Sequence, residues 1–178
     1  MQLVYWSISD SESDAFTATF SLRREGDNAW TDVAVDTTLP YAQFDTSALP
    51  DGLYFTRLVV RETSPRPAAE RLSVTFETDD LRVDRSPPAL IEATATIAGD
   101  TLVVTVHGRD ALSLLEGAEF RFNSGLERTV EQPADGIRDG REEHFVLEIP
   151  RAEVAGASSV EVSLYDAVLN RASVRLTW

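Results

Sequence analysis

The residues of this 178-residue chain that could do chemistry are carboxylates and two histidines; it has no cysteine, so disulfides, thiolate metal sites and cysteine nucleophiles are excluded together. The densest acidic run is SISDSESDAF, where Asp10, Glu12 and Asp14 alternate with serines. Three carboxylates in a D-x-E-x-D pattern offer oxygen ligands to a hard cation such as calcium. Against this, Ala15 stands where an EF-hand loop turns on glycine, and no glutamate closes a twelve-residue loop. The competing reading is a serine-rich turn in which Asp10 accepts from nearby backbone amides. A second acidic group, Asp135, Asp139, Glu142 and Glu143, sits in PADGIRDGREEHF, where Arg138 and Arg141 can neutralise it locally. His107 and His144 both fall on alternating apolar stretches, with no G-x-S-x-G, H-E-x-x-H or glycine-rich phosphate loop around them. Nucleophile, base and orienting group are therefore not assembled by any motif, and no catalytic residue is expected.

Aromatic side chains that could stack on sugars are Trp6, Trp30 and Trp178 with Tyr5, Tyr41, Tyr54 and Tyr165. Adjacent Tyr5 and Trp6 must face opposite sides of one strand, so one of them points outward. Tyr5, Trp6, Asp135 and Asp139 are the candidate partner-facing residues. The net charge of -14 comes from 30 acidic residues against 16 basic ones, every one of them arginine. Such a field repels phosphate backbones and anionic lipid heads, which disfavours nucleic-acid and membrane-surface partners. No apolar run approaches the ~18 residues of a membrane span, and MQLVYWSISD does not read as a signal peptide.

Positioning falls to strands. Period-2 alternation recurs between turn signals, at the spacing of an all-β protein. It predicts strands near 3–8, 15–24, 30–35, 41–44, 53–61 and 71–83, then near 90–97, 101–108, 118–123, 128–131, 144–149, 160–165 and 172–178. Only PRAEVAGA, 150–157, suits a helical turn. Pro87-Pro88 cannot donate to a ladder and make a short, stiff connector, which divides the chain into two β-sandwich domains, 1–86 and 87–178. At an offset of 100 residues Asp10 falls on Asp110, Phe20 on Phe120, Leu22 on Phe122 and Trp30 on Val130, in phase with the strands. This reads as two copies of one fold type, with Phe20, Leu22 and Trp30 facing inward and the shared Asp forming a turn.

The most specific motif is SALPDGLYFTRLVV. Leu49, Pro50, Gly52 and Tyr54 precede a strand in the arrangement of a tyrosine corner, in which the phenol hydroxyl bonds backbone just upstream. Together with VYWSISDSESDAFTATFSLRREGDNAWTDVA, VDRSPPAL and LYDAVLN, this chain resembles the tandem immunoglobulin-like or fibronectin type III-like domains of large bacterial secreted proteins, often found behind β-propeller repeats. The resemblance implies a non-catalytic spacer or protein-interaction module in an extracytoplasmic setting, partnered by other domains or another protein. It implies no resident cofactor, with calcium on Asp10, Glu12 and Asp14 as the one candidate; a carbohydrate-binding sandwich is the alternative. Residue 1 enters directly into what resembles the second strand of the first sandwich, so an open edge is expected near 3–8. Val168-Leu169-Asn170 replaces an A-G-N turn, which puts that turn's geometry in question.

Overall fold

The computed structural model describes residues 1–9 and 14–178, and only the backbone of Asp80. Asp10 and Glu12 lie outside the described residues. The alternation predicted from the sequence folds as strands throughout: β1 (Gln2–Tyr5), β2 (Phe16–Arg24), β3 (Thr31–Thr37), β4 (Tyr41–Phe44), β5 (Gly52–Glu62), β6 (Ser73–Val83), β7 (Ala89–Ala98), β8 (Thr101–Arg109), β9 (Leu115–Phe122), β10 (Glu127–Val130), β11 (Glu142–Pro150), β12 (Ser159–Asp166) and β13 (Arg171–Thr177). Every ladder among the described residues is antiparallel. Helical structure among the described residues is limited to two single 3-10 turns, Thr46–Ala48 and Ala68–Glu70, and 150–157 closes as successive turns. The protein is all-β.

The chain divides into two compact units, Met1–Val83 and Asp84–Trp178. The cut lies three residues before the one expected at Pro87, because the Asp84 segment is tied into the second unit: Ser113 donates to the Asp84 carboxylate and Asn170 to its backbone carbonyl. Pro88 is buried there.

In the second unit a four-stranded sheet, β10-β9-β12-β13, faces a three-stranded one, β11-β8-β7. Leu102, Val104 and Val106 of β8 and Phe145 of β11 meet Phe120 and Phe122 of β9 and Val162 of β12 in one fully buried cluster. Each such aromatic or branched side chain contributes roughly 1.5–3 kcal/mol by leaving water. Gly108 is required for this closeness, since a Cβ there would run into Leu164 Cδ2 and the Ala89 carbonyl.

The first unit repeats the same pairing scheme minus one strand. Its four-stranded sheet β3-β2-β5-β6 corresponds strand for strand to β10-β9-β12-β13, and its two-stranded sheet β1-β4 corresponds to β8-β11. Among the described residues nothing in the first unit corresponds to β7. The core is accordingly smaller, built on Phe20, Leu22, Ala42, Tyr54 and Val83 with Trp6 and Phe44 packed at its border.

Trp30 is not part of that core. Register shifts in the β2-β3 ladder pair Phe20 with Ala34 and Leu22 with Thr31, so the residue before Thr31 turns to the outer face. There the indole lies between the guanidinium groups of Arg57 and Arg23, 4.3 and 5.0 Å from its ring centre, and Arg23 also covers Phe55 at 4.6 Å. Strict alternation carried across the turn had placed Trp30 inward; the bulges reverse the parity.

Candidate functional site

Three carboxylates from well-separated parts of the sequence converge in the second unit. Asp84 precedes the Pro-Pro pair, Asp110 follows β8 and Asp166 ends β12, and one oxygen of each lies within 4.8 Å of the other two. Each is held by its own loop. Asp110 Oδ1 accepts from the amides of Leu112 and Ser113, both at 2.7 Å. Asp166 Oδ1 accepts from the amides of Val168 and Asn170, both at 2.9 Å, while its Oδ2 accepts from Asn170 Nδ2 at 2.8 Å. The Asp84 carboxylate takes the Ser113 hydroxyl and the Ser86 amide. Loop amides thus fix three negative groups at short range instead of letting them separate.

The electrostatic consequence falls on Asp84. Burial first, and the charges of Asp110 and Asp166 with it, raise its carboxyl above the ordinary carboxylate value, while Ser113 and the Ser86 amide pull the other way. An arrangement of this kind suits a hard cation. Calcium takes oxygen ligands at 2.3–2.6 Å, so ligands on opposite sides of the ion stand about 4.8 Å apart, and the three carboxylates span no more than that. Asp84, Asp110 and Asp166 are the residues that would hold it.

Sequence reasoning placed calcium elsewhere, on Asp10, Glu12 and Asp14. Of these only Asp14 is described, and its carboxylate faces Arg66 Nη2 at 3.7 Å. Asp110 was read as a turn former, and its two amide bonds are those of such a turn; its approach to Asp84 and Asp166 was not foreseen. The signals were present in VDRSPP and YDAVLN, but only the fold brings them together. The left-handed residue of the latter turn is Leu169, at φ 68°, so the conformation usually reserved for glycine is kept without one.

The remaining predicted residues are dispersed. Tyr54 donates its hydroxyl to the Pro50 carbonyl at 2.8 Å, and Leu49 packs beside it at the core border. Tyr5 is 69% exposed and 6.0 Å from the ring of Tyr41, whereas Trp6 turns inward and stacks on Phe20 at 6.2 Å. Asp135 accepts from the Ile137 amide in a local turn and Asp139 is exposed. Arg138 reaches Glu116 at 2.8 Å and Arg141 donates to the Ala111 carbonyl, so both arginines reach outside their own acidic loop.

A second feature is the uncovered inner face of the first unit. Val74 and Phe76 of β6 pair with Val60 and Leu58 of β5, on the face that carries the core, yet Leu72, Val74 and Phe76 are 63%, 48% and 59% exposed. With Ile8, Phe16 and Val60 they line a groove of about 290 Å³. Among the described residues no strand pairs with the other edge of β1. The Trp6 amide bonds the Pro40 carbonyl, so antiparallel alternation directs the backbone groups of Leu3 and Tyr5 away from β4.

No protein-family model matches the chain, and no curated protein matches it. Among solved structures, the crystal structure of chicken CNTN1 FN1-FN3 domains aligns with 99% of this chain and 61% of that one, at a TM-score of 0.42 and 13% identity. The chain thus spans under two thirds of the structure it matches.

Proposed function

We propose that the chain is a non-catalytic structural and protein-interaction module of a larger extracytoplasmic protein, and that its first unit binds an extended strand from a protein partner. The observation that carries this reading is the exposed apolar face of Leu72, Val74 and Phe76 on the core-bearing side of the first unit. In the second unit β7 pairs antiparallel with β8 along its whole length, and its Ala93 and Ala95 pack against the core. The first unit offers the equivalent place: a β1 edge with no paired strand among the described residues, for main-chain hydrogen bonds, and a groove over Val74 and Phe76 for alternate side chains, as strand addition requires.

Charge selects among occupants. The first unit, 1–83, carries 14 Asp and Glu against 7 Arg, a net charge of -7. A second copy brings the same sign and is repelled, whereas a strand with small apolar residues at alternate positions and basic residues between them is attracted. The extracytoplasmic setting rests on the family resemblance. A sugar-binding role would fall to Tyr5 beside Tyr41, since Trp6 is committed to Phe20.

Fluorescence polarisation with a labelled peptide alternating Val and Arg tests this, with a Val-Glu peptide as control. Binding of the Val-Arg peptide, weakened at least tenfold by Phe76→Ser and by raised salt, is expected. Equal binding of both peptides, binding of neither, or concentration-dependent dimerisation in sedimentation would overturn the assigned occupant.

A further inference from the structure

The two histidines of this chain, 37 positions apart in sequence, stand directly opposite one another. The β8-β11 ladder pairs His107 with His144, and their rings stack with centroids 3.8 Å apart and planes 12° from parallel. Both project from the outer face of the sheet, opposite to Val106 and Phe145, which are buried. Carboxylates flank the pair on both sides. His107 Nε2–H donates to Glu142 Oε1 at 3.0 Å, and Glu92 on β7 is the cross-strand neighbour of His107. The row Glu92, His107, His144 therefore crosses three adjacent strands, with Glu142 one step along.

We propose that His107 and His144 form a binding site for a borderline transition cation of the Zn²⁺ or Cu²⁺ kind. Imidazole is the preferred protein ligand for these ions. A tetrahedral Zn²⁺ with bonds of 2.0–2.1 Å sets two ligand nitrogens about 3.3 Å apart, close to the spacing at which the strand register already holds the two rings. Stacked imidazoles hold their in-plane lone pairs parallel, so each ring must turn by roughly 50° about its Cβ–Cγ bond before the two nitrogens face a common tetrahedral ion. Glu142, by accepting from Nε2–H of His107, leaves Nδ1 as the lone-pair nitrogen, and as an exposed side chain it can follow the ring as it turns, the outer partner that metal-bound histidines commonly have. Water completes the coordination on the exposed side, and Glu92 and Glu142 offset the ion's charge. This site is chemically distinct from the all-oxygen cluster of Asp84, Asp110 and Asp166, which suits calcium rather than zinc.

The test is titration of ZnCl₂ into the full, chelator-stripped chain at pH 7.5 with millimolar Ca²⁺ present, followed by calorimetry and by the imidazole proton resonances. One Zn²⁺ per chain is expected, with both imidazoles shifting together. His107→Asn and His144→Asn should each weaken binding at least tenfold, and Glu142→Gln by a smaller factor, with Asp110→Asn leaving it unchanged. Circular dichroism confirms folding, and His144, exposed on the sheet surface, is the variant least prone to disturb it. Zn²⁺ affinity unchanged in folded His144→Asn, loss on Asp110→Asn instead, or no binding to the wild-type chain would overturn the proposal.

Discussion

Replacing Asp84 by Asn should stabilise the second unit in the absence of divalent cations, against the usual expectation for a half-buried, hydrogen-bonded side chain. At separations up to 4.8 Å, each repulsion from Asp110 and Asp166 costs roughly 1 kcal/mol where water reaches the pair and up to about 3.5 kcal/mol at an effective dielectric near 20. The side chain is of intermediate exposure, so values toward the lower end apply. Bonds from the Ser113 hydroxyl and Ser86 amide favour the carboxylate over the amide by about 1 kcal/mol each. Repulsion and hydrogen bonding thus nearly cancel, and the burial of the charge, the largest contribution at Asp84, tips the balance to a net gain on the order of 1 kcal/mol, or some 4–8 °C in Tm for a unit of this size. The pH dependence has a definite sign. A carboxyl whose folded pKa is raised binds more protons folded than unfolded, so its penalty is present above the raised value and fades as pH falls toward the ordinary 3.8. The advantage of the variant should shrink in step. With Ca²⁺ at ten times its dissociation constant, the wild-type chain should gain about 1.4 kcal/mol, and the variant much less. Scanning calorimetry in EDTA and in Ca²⁺ from pH 7.5 to 4.5 reads both effects. If Asp84→Asn melts at or below wild type in EDTA at pH 7.5, the repulsion argument is refuted; an unchanged wild-type melt in saturating Ca²⁺ refutes the cation site.

Leu169→Gly should raise Tm by a few degrees. It relieves about 1 kcal/mol of left-handed backbone strain, part of it offset by the greater freedom of glycine in the unfolded chain, and a lower melt would show that the Leu169 side chain contributes more than its backbone costs. Gly108→Ala should destabilise the second unit by about 1–3 kcal/mol, because Leu164 is fully buried and has no room to withdraw; an unchanged denaturant midpoint would contradict this.

The strands were legible in the sequence because their signals are local. Period-2 alternation bounded by turns such as Ala98-Gly99-Asp100 located β7 and β8 to within a residue or so, and the Tyr54 motif marked the entry to β5. Trp30 shows where that logic stops: a bulge consumes a residue without changing the composition of the strand, so parity beyond the turn cannot be carried over. The carboxylate cluster was illegible for a different reason. Asp84, Asp110 and Asp166 lie in or at the start of three loops whose shared end of the sandwich is set by the pairing of β8 and β12 with their neighbours. Each loop alone looks like an ordinary Asp-capped turn. The two histidines were visible as strand residues, but their opposition depends on the β8-β11 register.

The unequal cores also set how the chain behaves under tension. Two units in one chain pulled from its termini carry the same load, and the one with less buried apolar surface is the first to yield. The first unit, opened to about 3.4 Å per residue, would lengthen by a distance on the order of 200 Å while the closed second sandwich stayed folded. A strand seated beside β1 would raise that threshold, so a bound partner would change the extensibility of the chain as well as its company.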